Sequence, residues 1–144
     1  MGKKRIIKQS GGEMNAGLAT RSLARGSKKR VESGILHIQA SYNNTKLLLS
    51  DKSGNALMAS SSGALGFKGA KKGTPFAAAK VGEVIGEKAA LLGMRDADVI
   101  MRGVGSGRES SLRSFAAKGV GITSIKDATP MPHNGPRQKK PRRV

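Results

Sequence analysis

Residues Ala97–Gly119 read ADVIMRGVGSGRESSLRSFAAKG, and the way this stretch folds decides the architecture of the chain. "ADVIMR" is an apolar run of strand length, and "GVGSGR" (Gly103 to Arg108) is a glycine-rich turn. From about Glu109 to Lys118 the pattern is helical, ended by Gly119. A last strand, "VGITSIKD" (Val120 to Asp127), follows. Two strands linked through a helix imply parallel neighbours, so the fold class is α/β.

Upstream, "GILHIQAS" (Gly34 to Ser41) places Leu36, Ile38 and Ala40 on one face and His37 and Gln39 on the other. That period of two marks a strand. "TKLLLSD" and "NALMASS" are two more, joined at the turn signal Lys52-Ser53-Gly54. These three segments should form an antiparallel meander. Thr74-Pro75 then opens a helix, with Thr as N-cap and Pro in the first turn. It runs to Gly93, with Val81, Val84, Ile85, Ala89 and Leu92 as its apolar stripe. Gly82 and Gly86, four apart, suit close approach of this helix to a sheet. The preceding "SSSGALGFKGAKKG" (Ser60 to Gly73) is polar and glycine-rich, and is expected outside the core. The predicted order is β-β-β-α-β-α-β, a mixed sheet in an α/β sandwich.

The chain of 144 residues has room for one domain. Lys and Arg total 27 against 9 Asp and Glu, a formal charge of +18. Such an excess opposes compaction unless a polyanion neutralises it, which makes nucleic acid the leading partner. A membrane is the weaker candidate, because no apolar run approaches the roughly 18 residues of a spanning helix. The opening "MGKKRIIKQSGG" lacks the apolar middle of a secretory signal, and the absence of cysteine fits a reducing compartment. An intracellular, cytoplasmic protein is expected.

Charge is concentrated at the two ends. Residues 1–33 hold nine basic and two acidic side chains, and residues 130–144 hold five basic and none acidic. Both ends are poor in large apolar residues and cannot build a core. The chain therefore divides into a basic N-terminal extension (1–33), an α/β core (34–129) and a basic C-terminal tail (130–144). Arms of this kind either become ordered on a polyanion or serve as solvated tails. Aromatic side chains are few, with Phe67, Phe76, Phe115, Tyr42 and no Trp, so recognition should lean on phosphates and shape rather than on base stacking.

A glycine turn between strand and helix raises the possibility of a nucleotide enzyme, and the details exclude it. The dinucleotide pattern needs glycine at its sixth place, where Arg108 stands. Asp127 lies 20 positions after Gly107, near the offset of a ribose-binding acid, but a charged residue at a given offset is common. A phosphate-binding loop ending in Gly-Lys-Ser/Thr is absent. Only His37 and His133 could serve as imidazole bases, and no carboxylates gather for metal chemistry. No cofactor, metal or catalytic residue is expected.

Phosphate of a polymer remains. Gly103, Gly105 and Gly107 could expose backbone N–H groups at a helix start, with Arg108 adding a guanidinium fork. The alternative is a tight connection with glycines placed for positive φ. In "GFKGAKKGTP", Lys68, Lys71 and Lys72 lie on a glycine-rich loop ending at a helix N-terminus; the alternative there is a solvated loop. Asn43 and Asn44 could read base edges or sugar hydroxyls, or simply form a turn. His133 and Asn134, held between Pro130, Pro132 and Pro136, form a semi-rigid polar segment suited to insertion, and Asn134-Gly135 is prone to succinimide formation where flexible.

Together, "HIQASYNNT" (His37 to Thr45), "DKSGNAL" (Asp51 to Leu57), "GFKGAKKGTPFAA" (Gly66 to Ala78), "GVGSGRES" (Gly103 to Ser110) and "ITSIKDATPMPHNGPR" (Ile122 to Arg137) resemble one family. It is the universal small-subunit ribosomal protein S-eleven, in its bacterial type. The resemblance implies a sheet related to the ribonuclease H-like motif and a non-catalytic constituent of the small ribosomal subunit. It implies binding to small-subunit ribosomal RNA on the platform, near the messenger exit channel and exit-site transfer RNA, beside ribosomal proteins S-seven and S-eighteen. The rRNA-binding set carried onto this chain is Asn43, Asn44, Lys68, Lys71, Lys72, Gly103, Gly105, Gly107, Arg108, Arg113, His133, Asn134, Arg137, Lys139, Lys140, Arg142 and Arg143. Bacterial relatives usually carry Pro where this chain has Val104 and Ser106, so backbone N–H donors are gained there. The rival expectation is a free architectural nucleic-acid-binding protein outside the ribosome.

Overall fold

The computed structural model describes residues 30–143; the extension expected over 1–33 therefore lies, up to residue 29, outside the described residues. Five strands form one sheet: β1 (Ser33–Ala40), β2 (Thr45–Asp51), β3 (Ala56–Ser61), β4 (Asp96–Arg102) and β5 (Gly121–Asp127). Helix α1 (Pro75–Leu91) joins β3 to β4, and α2 (Gly107–Ala116) joins β4 to β5. The strand order is β3-β2-β1-β4-β5. The meander β1–β2–β3 is antiparallel, and β4 and β5 add in parallel beside β1. The sheet is mixed, as the strand–helix–strand connections require.

Local signals place the elements. The alternation in β1 buries Leu36, Ile38 and Ala40, and the facing positions Leu47 and Leu49 of β2 and Val99 of β4 are buried with them. Thr74 caps α1, its Oγ1 accepting from the Ala77 N–H at 3.3 Å, and Pro75 stands in the first turn where a missing N–H costs nothing. Gly93, with φ of 76°, ends α1 in the left-handed conformation that a Cβ would strain. Gly54, at φ 89°, does the same for the β2–β3 turn, which Asp51 closes by accepting from the Asn55 N–H at 2.8 Å.

Both helices lie on one face. Helix α1 packs over β2 and β3, α2 packs against β1, and the two helices pack against each other. Between them and the sheet sits a single core that includes Phe115, Val81, Ile85 and Leu65. Each such side chain contributes about 1.5–3 kcal/mol by leaving water. The arrangement has two layers, and the far face of the sheet carries no helix among the described residues.

Two expectations change. Gly82 and Gly86 bring α1 close to α2, not to the sheet: a Cβ on Gly82 would strike the Ser111 carbonyl, and one on Gly86 would lie 2.8 Å from Lys118 Cγ. The spacing of four marks a face without saying which neighbour meets it. The stretch before α1 is also not wholly outside the core. Ser62, Leu65 and Phe67 are buried, and Phe67 meets Phe76 edge to face at 6.1 Å. Isolated apolar residues among glycines carry no periodicity, so their burial is invisible locally.

The parallel strands β1, β4 and β5 all end at one pole of the sheet, where α1 and α2 begin. The chain enters at the opposite pole. There the Val31 N–H donates to the Leu92 carbonyl at 3.2 Å, and the Arg95 N–H to the Glu32 carbonyl at 2.8 Å. The two poles are roughly 25 Å apart along the eight residues of β1.

Candidate nucleic-acid interface

Four segments meet at the pole where β1, β4 and β5 end: the β1–β2 turn, the lysine loop, the glycine turn and the start of the tail. Their meeting is a matter of backbone contact. The Gly105 N–H donates to the Ala40 carbonyl at 3.0 Å, fastening the glycine turn to the end of β1. Ser106 Oγ donates to the Gly73 carbonyl at 3.1 Å, fastening it to the lysine loop. A Cβ on Gly73 would strike the Tyr42 carbonyl, so the loop also presses on the β1–β2 turn.

In the β1–β2 turn, Ser41 and Asn44 exchange bonds: the Ser41 N–H donates to the Asn44 carbonyl at 2.9 Å, and the Asn44 N–H to Ser41 Oγ at 3.1 Å. Asn44 thus shapes the turn through its backbone, and its side-chain Oδ1 is buried without a hydrogen-bond partner. Asn43 and Tyr42 stand exposed beside it. In the lysine loop, Gly69–Gly73 form a short 3-10 turn; Lys68 and Lys71 are exposed and Lys72 is half-buried.

The glycine turn is not an open amide cradle. Gly105 and Gly107 are buried, and the Gly103 N–H donates to Thr129 Oγ1 at 3.1 Å. Only Gly103 has positive φ, at 97°. The other two are needed for close approach, because a Cβ on Gly105 would strike the Ser41 carbonyl and one on Gly107 would strike Thr45 Oγ1. The expected exposure of three amides is therefore corrected: the amides of Gly103 and Gly105 already hold protein acceptors.

Arg108 is likewise engaged within the protein. Its Nη1 donates to the Gly103 carbonyl at 2.9 Å and its Nη2 to the carboxylate of Asp127. Asp127 also accepts from Thr129, at 2.9 Å from the N–H and 2.6 Å from the hydroxyl. Thr129 and then Arg108 hold the Asp127 carboxyl down to about 2. The spacing between Gly107 and Asp127, which carries little weight in sequence, thus brings a carboxylate to the glycine turn as a structural partner of Arg108 rather than as a ligand for ribose.

Beyond Thr129 the chain runs as an exposed tail without helix or strand. His133, Asn134, Arg137, Lys139, Lys140, Arg142 and Arg143 all lie open to solvent. Asn134 adopts a φ of 58° and its Oδ1 accepts from Arg137 Nη2 at 3.1 Å, the one bond among these side chains. Arg113 is exposed in the last turn of α2, away from the pole. Arg102, at the end of β4, pairs in register with Gln39 and so stands on the sheet face away from the helices. It is exposed, and among the described residues its side chain has no hydrogen-bond or ion-pair partner. Its signal was available in the alternation Asp98, Ile100, Arg102 along "ADVIMR".

The pole therefore gathers Lys68, Lys71 and Lys72 beside two helix N-termini, whose partial positive charge adds to theirs. Among the described residues, no cluster of His, Asp and Glu could hold a metal ion, and no helix is long and apolar enough to cross a membrane. Compared with known protein families, residues 34–143 match ribosomal protein S11. The chain belongs to the ribosomal protein S11 family. Membership makes it a ribosomal protein of the small subunit that binds ribosomal RNA within a ribonucleoprotein and serves translation. The family is structural rather than enzymatic, and its members assemble with ribosomal RNA and other ribosomal proteins. The five-stranded mixed sheet with two helices is consistent with the fold of that family.

Proposed function

We propose that this chain holds small-subunit ribosomal RNA mainly at the pole where β1, β4 and β5 end, and that it does so on the platform near the messenger exit channel and exit-site transfer RNA. The convergence of the lysine loop, the β1–β2 turn and the basic tail on that pole carries the proposal. Lys68, Lys71, Lys72 and the tail cations Arg137, Lys139, Lys140, Arg142 and Arg143 neutralise phosphates, releasing counterions. Asn43, His133 and Asn134 meet sugar or base edges, and Arg113 reaches a neighbouring phosphate from α2. Gly103, Gly105, Gly107 and Arg108 serve these contacts by shaping the pole, with Val104 and Ser106 at its surface.

In this reading the basic N-terminal extension adds further phosphate contacts through its charge. Ribosomal proteins S-seven and S-eighteen are the proposed neighbours, in a cytoplasmic ribosome. Sucrose-gradient fractionation of lysate tests the reading. Recovery with small subunits and whole ribosomes is expected. A protein found mostly in the slow fractions, binding duplex DNA as tightly as ribosomal RNA, would instead be a free architectural factor.

A further inference from the structure

The uncovered face of the sheet has an ordered chemistry of its own. Strand register lines its side chains into rows across the strands. One row runs Ser61, Lys46, Gln39, Arg102 from β3 to β4. The next, two residues along each strand, runs Ala59, Leu48, His37, Ile100 and Lys126. Beyond it lie Ile35, Asp98 and Ser124, where Ser124 Oγ donates to Asp98 at 2.6 Å. A groove of about 680 Å³ follows the first two rows, lined by His37, Gln39, Lys46, Leu48, Ala59 and Arg102 among others.

The middle row is the apolar one. Leu48, His37 and Ile100 are half-buried, and His37 Nε2 hydrogen-bonds Ser50 Oγ at 3.3 Å. The first row is basic: Lys46 and Arg102 are exposed, and neither makes an ion pair among the described residues. Lys126, at the end of the middle row, is likewise exposed and without an ion pair among the described residues. All-parallel sheets are covered on both faces; this mixed sheet keeps two parallel pairs, β1/β4 and β4/β5, with one face bare among the described residues.

We propose that this face docks an amphipathic helix of a partner protein, with its apolar stripe on Leu48, His37 and Ile100 and its acidic flank on Lys46 and Arg102. Three observations select that occupant. The groove crosses four strands, about 14 Å, which accommodates a helix of about 10–12 Å diameter. Its centre is formed by Leu48, Ile100 and the His37 imidazole, which is half-buried and hydrogen-bonded to Ser50 Oγ. With no Phe, Tyr or Trp lining the groove, a run of stacked bases has no platform there, which disfavours a nucleic-acid strand. The chain's own extensions repeat the charge of the rim, with nine basic and two acidic residues in 1–33 and five basic and none acidic in 130–144. An acidic helix complements it. The inference rests on the ribosomal reading only in that the partner is sought within the small subunit.

Photo-crosslinking from the groove tests it. The full-length chain carrying p-benzoylphenylalanine in place of Ala59 is assembled into small subunits, irradiated, and the crosslinked peptide is sequenced. A protein segment with apolar residues at helical spacing and flanking Asp or Glu is expected. Crosslinks to RNA, to residues 1–29 of the same chain, or to nothing overturn the proposal. The double variant Lys46→Glu/Arg102→Glu should reduce the crosslink at least tenfold while RNA-fragment affinity of the free protein changes less than twofold. A comparable loss of RNA affinity would assign the face to RNA instead. Lys46→Ala/Arg102→Ala, a milder change, repeats the comparison should the reversal impair folding. Failure of the wild-type chain to bind RNA would sink the ribosomal reading and leave the crosslink to be judged alone.

Discussion

Arg108 and Asp127, 19 residues apart in sequence, form an ion pair that clasps the glycine turn to the end of β5. The same guanidinium holds the Gly103 carbonyl, and the same carboxylate holds Thr129, whose hydroxyl in turn accepts from the Gly103 N–H. The four residues make a closed loop of bonds at the point where the basic tail departs. Its consequence is directional: the tail leaves from a fixed anchor rather than from a frayed strand end.

Disrupting that loop should show in acid. The Asp127 carboxyl is lowered from 3.8 to about 2, so its contribution to stability is fully present above the unfolded value and is lost as pH falls through the folded one. Asp127→Asn should lower the thermal midpoint at neutral pH and flatten the loss of stability between about pH 4 and pH 2. Thermal unfolding of both proteins across that range checks it; parallel curves would deny the carboxylate this role.

Arg108 and the loop lysines should separate in their effects. Arg108→Ala removes a clasp and is expected to lower stability, weakening RNA binding only through the displaced pole. Replacing Lys68, Lys71 and Lys72 together by Ala should weaken binding to a small-subunit RNA fragment severalfold and leave the thermal midpoint nearly unchanged. Paired melting and filter-binding measurements distinguish them. Equal stability losses in both variants would contradict the assignment.

Removing Pro136–Val144 takes away five exposed cations. Each phosphate neutralised contributes about 0.7–0.9 to the slope of log affinity against log salt, so the slope should fall by up to about 4. Binding isotherms at several salt concentrations measure this. An unchanged slope would mean that the tail does not meet phosphates.

Gly82→Ala should destabilise the domain although Ala favours helices. The new methyl would strike the Ser111 carbonyl and lie 3.1 Å from Ser114 Cβ, and a backbone atom cannot swing aside. Overpacking of this kind costs about 1–3 kcal/mol, readable as a fall in chemical-denaturation midpoint. A neutral or stabilising result would show that α1 and α2 can separate freely.

The sequence by itself determined the elements and their order. The alternation in "GILHIQAS", the Thr74-Pro75 start of α1 and the stops at Gly93 and Gly119 are short-range effects. Each depends on residues within about one turn or one pleat, so each is legible in a window of the chain. The charged tail was legible too, because cations with no apolar neighbours cannot enter a core.

Tertiary structure alone decided which surfaces those elements share. Nothing in "GFKGAKKG" distinguishes a buried Phe67 from a wet one until Phe76 is packed against it. The glycines of α1 needed a partner helix to reveal their use, and those of "GVGSGR" needed the end of β1. Arg108 looked free until strand register placed Asp127 beside it. The row of Lys46, Gln39 and Arg102 exists only because three strands pair in one register. Contacts between residues far apart in the chain depend on register and packing, and no local pattern encodes either.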